Sequence, residues 1–375
     1  MMKPISTFAQ TALRNAQLRR LEAELATASQ ELATGKKDDV AKSIGSELVN
    51  LQTIRNQFSE NGAYLRSIDT FKQRADMMDG SLSEIEGAVN DLVEVAAINA
   101  ASPLETARTV QLVANSAIDR ISTALNIEIG GRYLFGGAEV ENQPAQPRDV
   151  GNMGGPAPQE VANSVARGTT GVPALPTTDL TVPASVAEAD ELLGRFDDIF
   201  QGANAADPDP AIQELSFENT FYNGEIGGTL IDIRLPNNSY QRQDNAQLMQ
   251  GLRDVLQGAY LLAAVELDQI TDDEAYRQLM TGDDAGREGA LDLLAGGLAA
   301  IQRSRADLGL RYQQVEAAED AVRTQNALFN NQIVDLENVD PFEVQTRFLN
   351  IEKQLEASYA ASSRVLSLSL FNFIR

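Results

Sequence analysis

The chain runs to 375 residues, carries 54 acidic against 30 basic side chains for a net charge of −24, and has no Cys, His or Trp. Disulfides, Cys/His zinc sites and nucleophile systems built on Cys or Ser–His are therefore excluded, while an oxygen-only metal site or a carboxylate enzyme stays open. The acidity is concentrated: residues 141–289 hold 25 acidic and 8 basic side chains, residues 1–37 only 3 and 6, and so acidic a middle repels nucleic acid and anionic membranes.

In chain order, the first expected helix is Phe8–Thr34, where Leu18, Leu21, Leu25, Ala28 and Leu32 step by three and four. Gly35 stops it. The stripe resumes at Ile44, Leu48, Leu51, Phe58 and Leu65. It continues through Ile68, Phe71, Ala75, Met78, Leu82, Ile85, Val89, Leu92 and Ala96. Unbroken, that helix would be roughly 80 Å long at about 1.5 Å per residue. Ser102-Pro103-Leu104-Glu105 reads as N-cap, first-turn proline and capping-box glutamate of a further helix, which is expected to run to Ile129 and stop at Gly130-Gly131.

The middle looks different. Residues 138–236 show no helical stripe and hold ten of the thirteen prolines. Thr181-Val182 and Thr229–Leu235 alternate like strands, and Asn223-Gly224 is a turn signal. Helices return at 246–267 and 272–284. A second long stripe begins near Gly289 and takes in Leu294, Leu298, Ile301, Leu308, Tyr312, Val315, Val322, Phe329, Ile333 and Leu336. Asp340-Pro341-Phe342-Glu343 repeats the helix-start device and opens a last helix with Val344, Phe348, Ile351, Leu355, Tyr359 and Leu366 on one side.

Stripes sustained over several heptads require a partner helix, and two such segments at opposite ends of a chain can bury each other. The expected fold is mainly α: a long antiparallel helical rod formed by the N- and C-terminal segments, with a smaller β-containing inserted domain. Its segments are 1–43, an assembly helix and loop; 44–140, the N-terminal half of the rod; 141–236, a partly β, solvent-facing insertion; 237–340, the C-terminal half; and 341–375, the C-terminal assembly helix.

Few motifs suggest chemistry. Gly130–Gly137 has the glycine density of a phosphate loop but lacks its Lys-Ser/Thr and a preceding strand. A helix end is the better reading, followed by a short strand burying Tyr133 and Phe135 and a turn at Gly136-Gly137. Asp207-Pro208-Asp209 and Asp272-Asp273-Glu274 miss the calcium-loop spacing. No catalytic pair, metal ligand or cofactor site is nominated. The end, Val365–Ile374, is apolar on both sides and reads as an association surface. No segment is long and apolar enough to span a membrane, and the first residues lack the apolar core of a signal peptide.

Three stretches carry a resemblance. Leu25–Lys37, "LATASQELATGKK", looks like the opening of bacterial flagellins and hook-associated proteins. Gly131–Gly137, "GRYLFGG", and Leu336–Ile374, "LENVDPFEVQTRFLNIEKQLEASYAASSRVLSLSLFNFI", resemble the bacterial flagellin superfamily, closest to the hook-filament junction branch, hook-associated protein 3. One departure stands out: only Asp38-Asp39 follows the Thr-Gly-Lys turn, where that branch commonly has a Pro-Ser-Asp-Asp-Pro-like stretch.

The resemblance implies a structural component of the flagellum placed between hook and filament. The terminal segments would be disordered in the monomer and fold together inside a tube. Partners would be other copies of the chain, a neighbouring hook-associated protein, flagellin, and a cytoplasmic export chaperone at the C-terminal region. Neither nucleic acid nor membrane is a partner. The protein would be extracellular, exported without a cleaved signal. The residues expected at the assembly interface are Leu18, Leu21, Leu25, Leu32, Val344, Phe348, Ile351, Leu355, Leu366, Leu370 and Phe373. The alternatives are a filament-forming flagellin and, in a different class, a secreted helical adaptor or translocator.

Overall fold

The computed structural model describes residues 7–101, 103–151, 155–168, 178–206, 213, 215–236, 240–282 and 287–373. It is mainly helical. The elements run α1 (Thr7–Thr34), α2 (Val40–Ile44), α3 (Leu48–Ala101), α4 (Pro103–Leu125), β1 (Glu128–Ile129), β2 (Arg132–Tyr133), α5 (Pro158–Arg167) and α6 (Val186–Phe200). They continue with α7 (Phe217–Thr220), β3 (Thr229–Arg234), β4 (Tyr240–Asp244), α8 (Ala246–Ala264), α9 (Asp273–Thr281), α10 (Ala290–Glu337) and α11 (Pro341–Phe373). The chain divides into two compact units, one of residues 1–63 with 321–375 and one of residues 64–320.

In the larger unit the stripe from Ile68 to Ala96 is buried without exception, as are Leu294, Ile301, Leu308 and Val315 on α10. The two helices run antiparallel. Lys72 Nζ meets Glu319 Oε2 at 3.0 Å. Further along, Arg305 donates to both carboxylate oxygens of Asp79, at 2.6 and 3.1 Å, and to Glu86 at 2.9 Å. Those hydrogen bonds hold the Asp79 carboxyl below its ordinary pKa. Helix α4 is tied back to α3 by Arg120, which bridges Glu84 and Asp91, both at 2.7 Å. Helices α8 and α10 approach so closely that a Cβ on Gly297 would lie 2.5 Å from the Gly251 carbonyl oxygen; glycine is the residue that permits this contact.

The expected helix to Ile129 ends at Leu125 instead. Asn126 diverts the chain: its side chain donates to the Ala145 carbonyl at 2.8 Å and accepts from the Ala145 amide at 2.9 Å. Glu128–Ile129 then pairs antiparallel with Arg132–Tyr133. Gly130 and Gly131, with φ of 60° and 77°, make the two-residue turn whose central positions both need positive φ. Phe135 is fully buried, but Tyr133 is only half-buried. Ser102, the expected cap, lies outside the described residues, as do Asp207-Pro208-Asp209.

The proline-rich middle is more helical than its composition suggested. Pro158 sits in the first turn of α5 and Val161, Ala162, Val165 and Ala166 bury one face. Ser185 caps α6 by accepting from the Glu188 amide at 3.3 Å. Thr181-Val182, expected as strand, is a bend held by Asp179, whose carboxylate accepts from both the Thr181 amide and hydroxyl. The Thr229–Leu235 expectation holds as β3, paired antiparallel with β4 and bulged between Thr229 and Ile231. The bulge lets both Leu230 and Ile231 face inward. Asn223-Gly224 makes no hairpin: Tyr222 bridges to Ala145, and its hydroxyl donates to the Phe135 carbonyl at 2.6 Å. Asp272, read as loop acid, is the N-cap of α9 and accepts from Glu274 and Ala275 amides at 3.0 and 2.7 Å.

Candidate assembly interface

The smaller unit is built around the pairing of α1 with α11. Gly35, with φ of 67°, ends α1 at a point where any residue with a Cβ would be strained. Asp340 starts α11: its carboxylate accepts from the Phe342 amide at 2.8 Å, and its carbonyl from the Val344 amide at 3.0 Å. Ala28, Val344, Ile351 and Leu355 form the buried core of the pair, with Leu18, Leu21, Leu25, Val339 and Phe348 packed against it. Arg347 pairs with Glu31, and further along Tyr359 Oη donates to Glu22 Oε1 at 2.7 Å, which makes the helices antiparallel. The Glu22 carboxylate raises the tyrosine's pKa.

The structure thus brings Leu18, Leu21, Leu25, Val344, Phe348, Ile351 and Leu355 together within one chain. Leu32 stands apart from them, 37% exposed; Ala28 and Glu31 occupy the inward positions of its turn. The side chains of Leu366, Leu370 and Phe373, on the last turns of α11, lie outside the described residues.

In the same unit, the first turns of α3 and the last of α10 also run antiparallel. Asn61 Nδ2 donates to Gln325 Oε1 at 3.1 Å and Arg55 Nε to Glu337 Oε1 at 2.9 Å. Burial is incomplete here. Leu51 and Ile54 are buried, yet Phe329, Ile333 and Leu336 are only half-buried, and Phe58, Leu328 and Val334 are exposed. Of the fifteen exposed large apolar residues among the described positions, nine fall in this smaller unit. They include Leu13, Val49, Phe342, Leu349 and Tyr359. A two-helix pair leaves much of each helix's circumference uncovered, and these apolar side chains stand exposed on it.

Comparison with known families matches both ends of the chain and reaches from the smaller unit into the larger one. Residues 5–139 match the bacterial flagellin N-terminal helical region and residues 291–374 the bacterial flagellin C-terminal helical region, together more than half of the chain. The chain belongs to the bacterial flagellin superfamily. The flagellin family is structural and non-enzymatic and assembles with neighbouring subunits, and this flagellin-superfamily protein is a structural component of the flagellum, outside the cell. Its matched ends are the elements that carry α1, α3, α4, α10 and α11, whereas residues 140–290, with the most acidic stretch, lie outside both matches. No curated protein matches the sequence. Among its described residues no helix is long and apolar enough to cross a membrane.

Proposed function

We propose that this flagellin-superfamily chain is a hook-filament junction protein that joins hook to filament by packing its terminal helices against neighbouring subunits. The observation that carries the assembly role is the outward apolar surface of the α1–α11 pair and its neighbours, from Leu13 and Leu32 to Phe342, Leu349 and Tyr359. Burying one such side chain is worth about 1.5–3 kcal/mol, so several together are enough to drive association. The junction role, as opposed to filament formation, rests on the sequence of residues 131–137 and 336–374.

In this reading residues 1–43 and 341–375 are the assembly segments, 44–140 and 237–340 the helical wall, and 141–236 a solvent-facing insertion. The terminal helices complete their folding only against neighbours, so they lose conformational entropy only when partners compensate for it. Their low charge, six basic and three acidic groups in 1–37 and four and three in 341–375, limits self-repulsion in a dense wall. The partners are further copies of the chain, a hook-associated protein and flagellin, with an export chaperone holding the C-terminal region. Export proceeds unfolded, and a chain free of Cys suits that route.

Purified protein provides the test. Light scattering and electron microscopy of the concentrated chain should show no long filaments, while the same preparation binds to isolated hook ends. Spontaneous growth of long filaments would assign the chain to the filament-forming flagellins instead.

A further inference from the structure

We propose that the segments joining α1 to α2 and α10 to α11 form a clasp that sets the register of the two chain ends and starts the zippering of α1 along α11; this rests on the assembly reading above. The two segments cross as a single antiparallel bridge between Lys36 and Asn338. The Lys37 amide donates to the Glu337 carbonyl at 2.9 Å and the Val339 amide to the Gly35 carbonyl at 3.1 Å. Lys37 Nζ adds a bond of 2.8 Å to the Leu336 carbonyl, one of the last carbonyls of α10 left without a helical partner.

Two nearly buried carboxylates lock the crossing. The Glu337 side chain, 8% exposed, pairs with Arg55 and with Lys36 at 3.6 Å. The Glu31 side chain, 10% exposed, pairs with Arg347 and accepts from the Asp38 amide at 3.3 Å. These links join residues as much as 316 positions apart. They are polar and nearly buried where the core of the pairing is apolar, and that difference matters. A leucine stripe tolerates slippage by a turn. A slipped register here would leave a buried carboxylate without its partner, a strongly unfavourable state.

The position of the clasp gives it its role. Helix α1 ends at Thr34 and α11 begins at Pro341, so the clasp lies at the shared end of the pair and acts as the turn of a hairpin. With that end closed, each helix meets the other at an effective concentration set by a few residues instead of by free diffusion of two chain ends. Pairing then propagates from Glu31–Arg347 toward Glu22–Tyr359.

The absence of Cys makes a clean experiment possible. Lys36 and Asn338 form a non-hydrogen-bonded antiparallel pair, for which Cα atoms lie about 4.5 Å apart, a spacing that a disulfide can span. Full-length chain is labelled and its incorporation onto isolated hooks timed, with amide exchange followed on the soluble form. Glu337→Gln should slow incorporation about tenfold and speed exchange at the Lys37 and Val339 amides. Adding oxidised Lys36→Cys with Asn338→Cys to that variant should restore the rate, and reduction should abolish the rescue. Incorporation of Glu337→Gln at the wild-type rate, or failure of the disulfide to rescue, overturns the clasp. If even the wild-type chain does not incorporate, the assembly reading falls. Exchange then decides the clasp: protection at Lys37 and Val339 that Glu337→Gln removes supports it, and absence of protection overturns it.

Discussion

Leu25→Asp should abolish assembly while leaving the unit of residues 64–320 intact. Leu25 packs against the small core of Ala28, Val344, Ile351 and Leu355, which is the whole buried apolar content of the α1–α11 pair among the described residues. The substitution removes apolar contact and sets a carboxylate against that apolar core. We expect a loss of about 3 kcal/mol from the pair, a large share of what so small a core can supply. The readouts are incorporation onto hook ends, expected to vanish, and the main thermal transition, expected to stay within about 1 °C because distant sites act independently. Normal incorporation by this variant would show that pairing of the ends does not matter for assembly.

Phe200→Ala should do the reverse. Phe200 is fully buried at the centre of an aromatic cluster, with ring centroids 4.5 Å from Phe221, 5.9 Å from Phe217, 6.2 Å from Tyr260 and 6.4 Å from Phe196. Truncation leaves a cavity that these rings cannot close without abandoning their contacts with one another, at a cost of about 3–5 kcal/mol. In a unit of this size that lowers the thermal midpoint by roughly 10 °C. At temperatures where the variant is still folded, incorporation onto hook ends should be unaffected. A midpoint unchanged within 2 °C would mean that the cluster is not the core of the larger unit.

The long helices were legible because their stripes are regular and their ends are chemically marked. Ile68 to Ala96 in α3, Gly35 after α1 and Asp340-Pro341 before α11 each signal locally what they do. The misses share a different cause: the deciding partner is distant in sequence or local composition points the wrong way. Asn126 ends α4 early because it bonds Ala145, nineteen residues on. Tyr222 overrides the Asn223-Gly224 turn signal because its hydroxyl is claimed by Phe135. Helices α5 and α6 were hidden by prolines, although Ser185 and Glu188 offered a capping signal that could have revealed the second. Of the interface residues, seven of the expected eleven meet in one cluster because they obey the three-four step. Leu32 obeys it too, but the pairing at that turn is taken over by Glu31 and Arg347. No local pattern could announce the clasp, since its links run between the two ends of the chain.

Imaging cells that lack this gene tests the central claim most directly. If the chain joins hook to filament, electron micrographs should show complete hooks with bare ends, and filament protein should accumulate in the medium. Full-length filaments still attached to hooks would contradict the account.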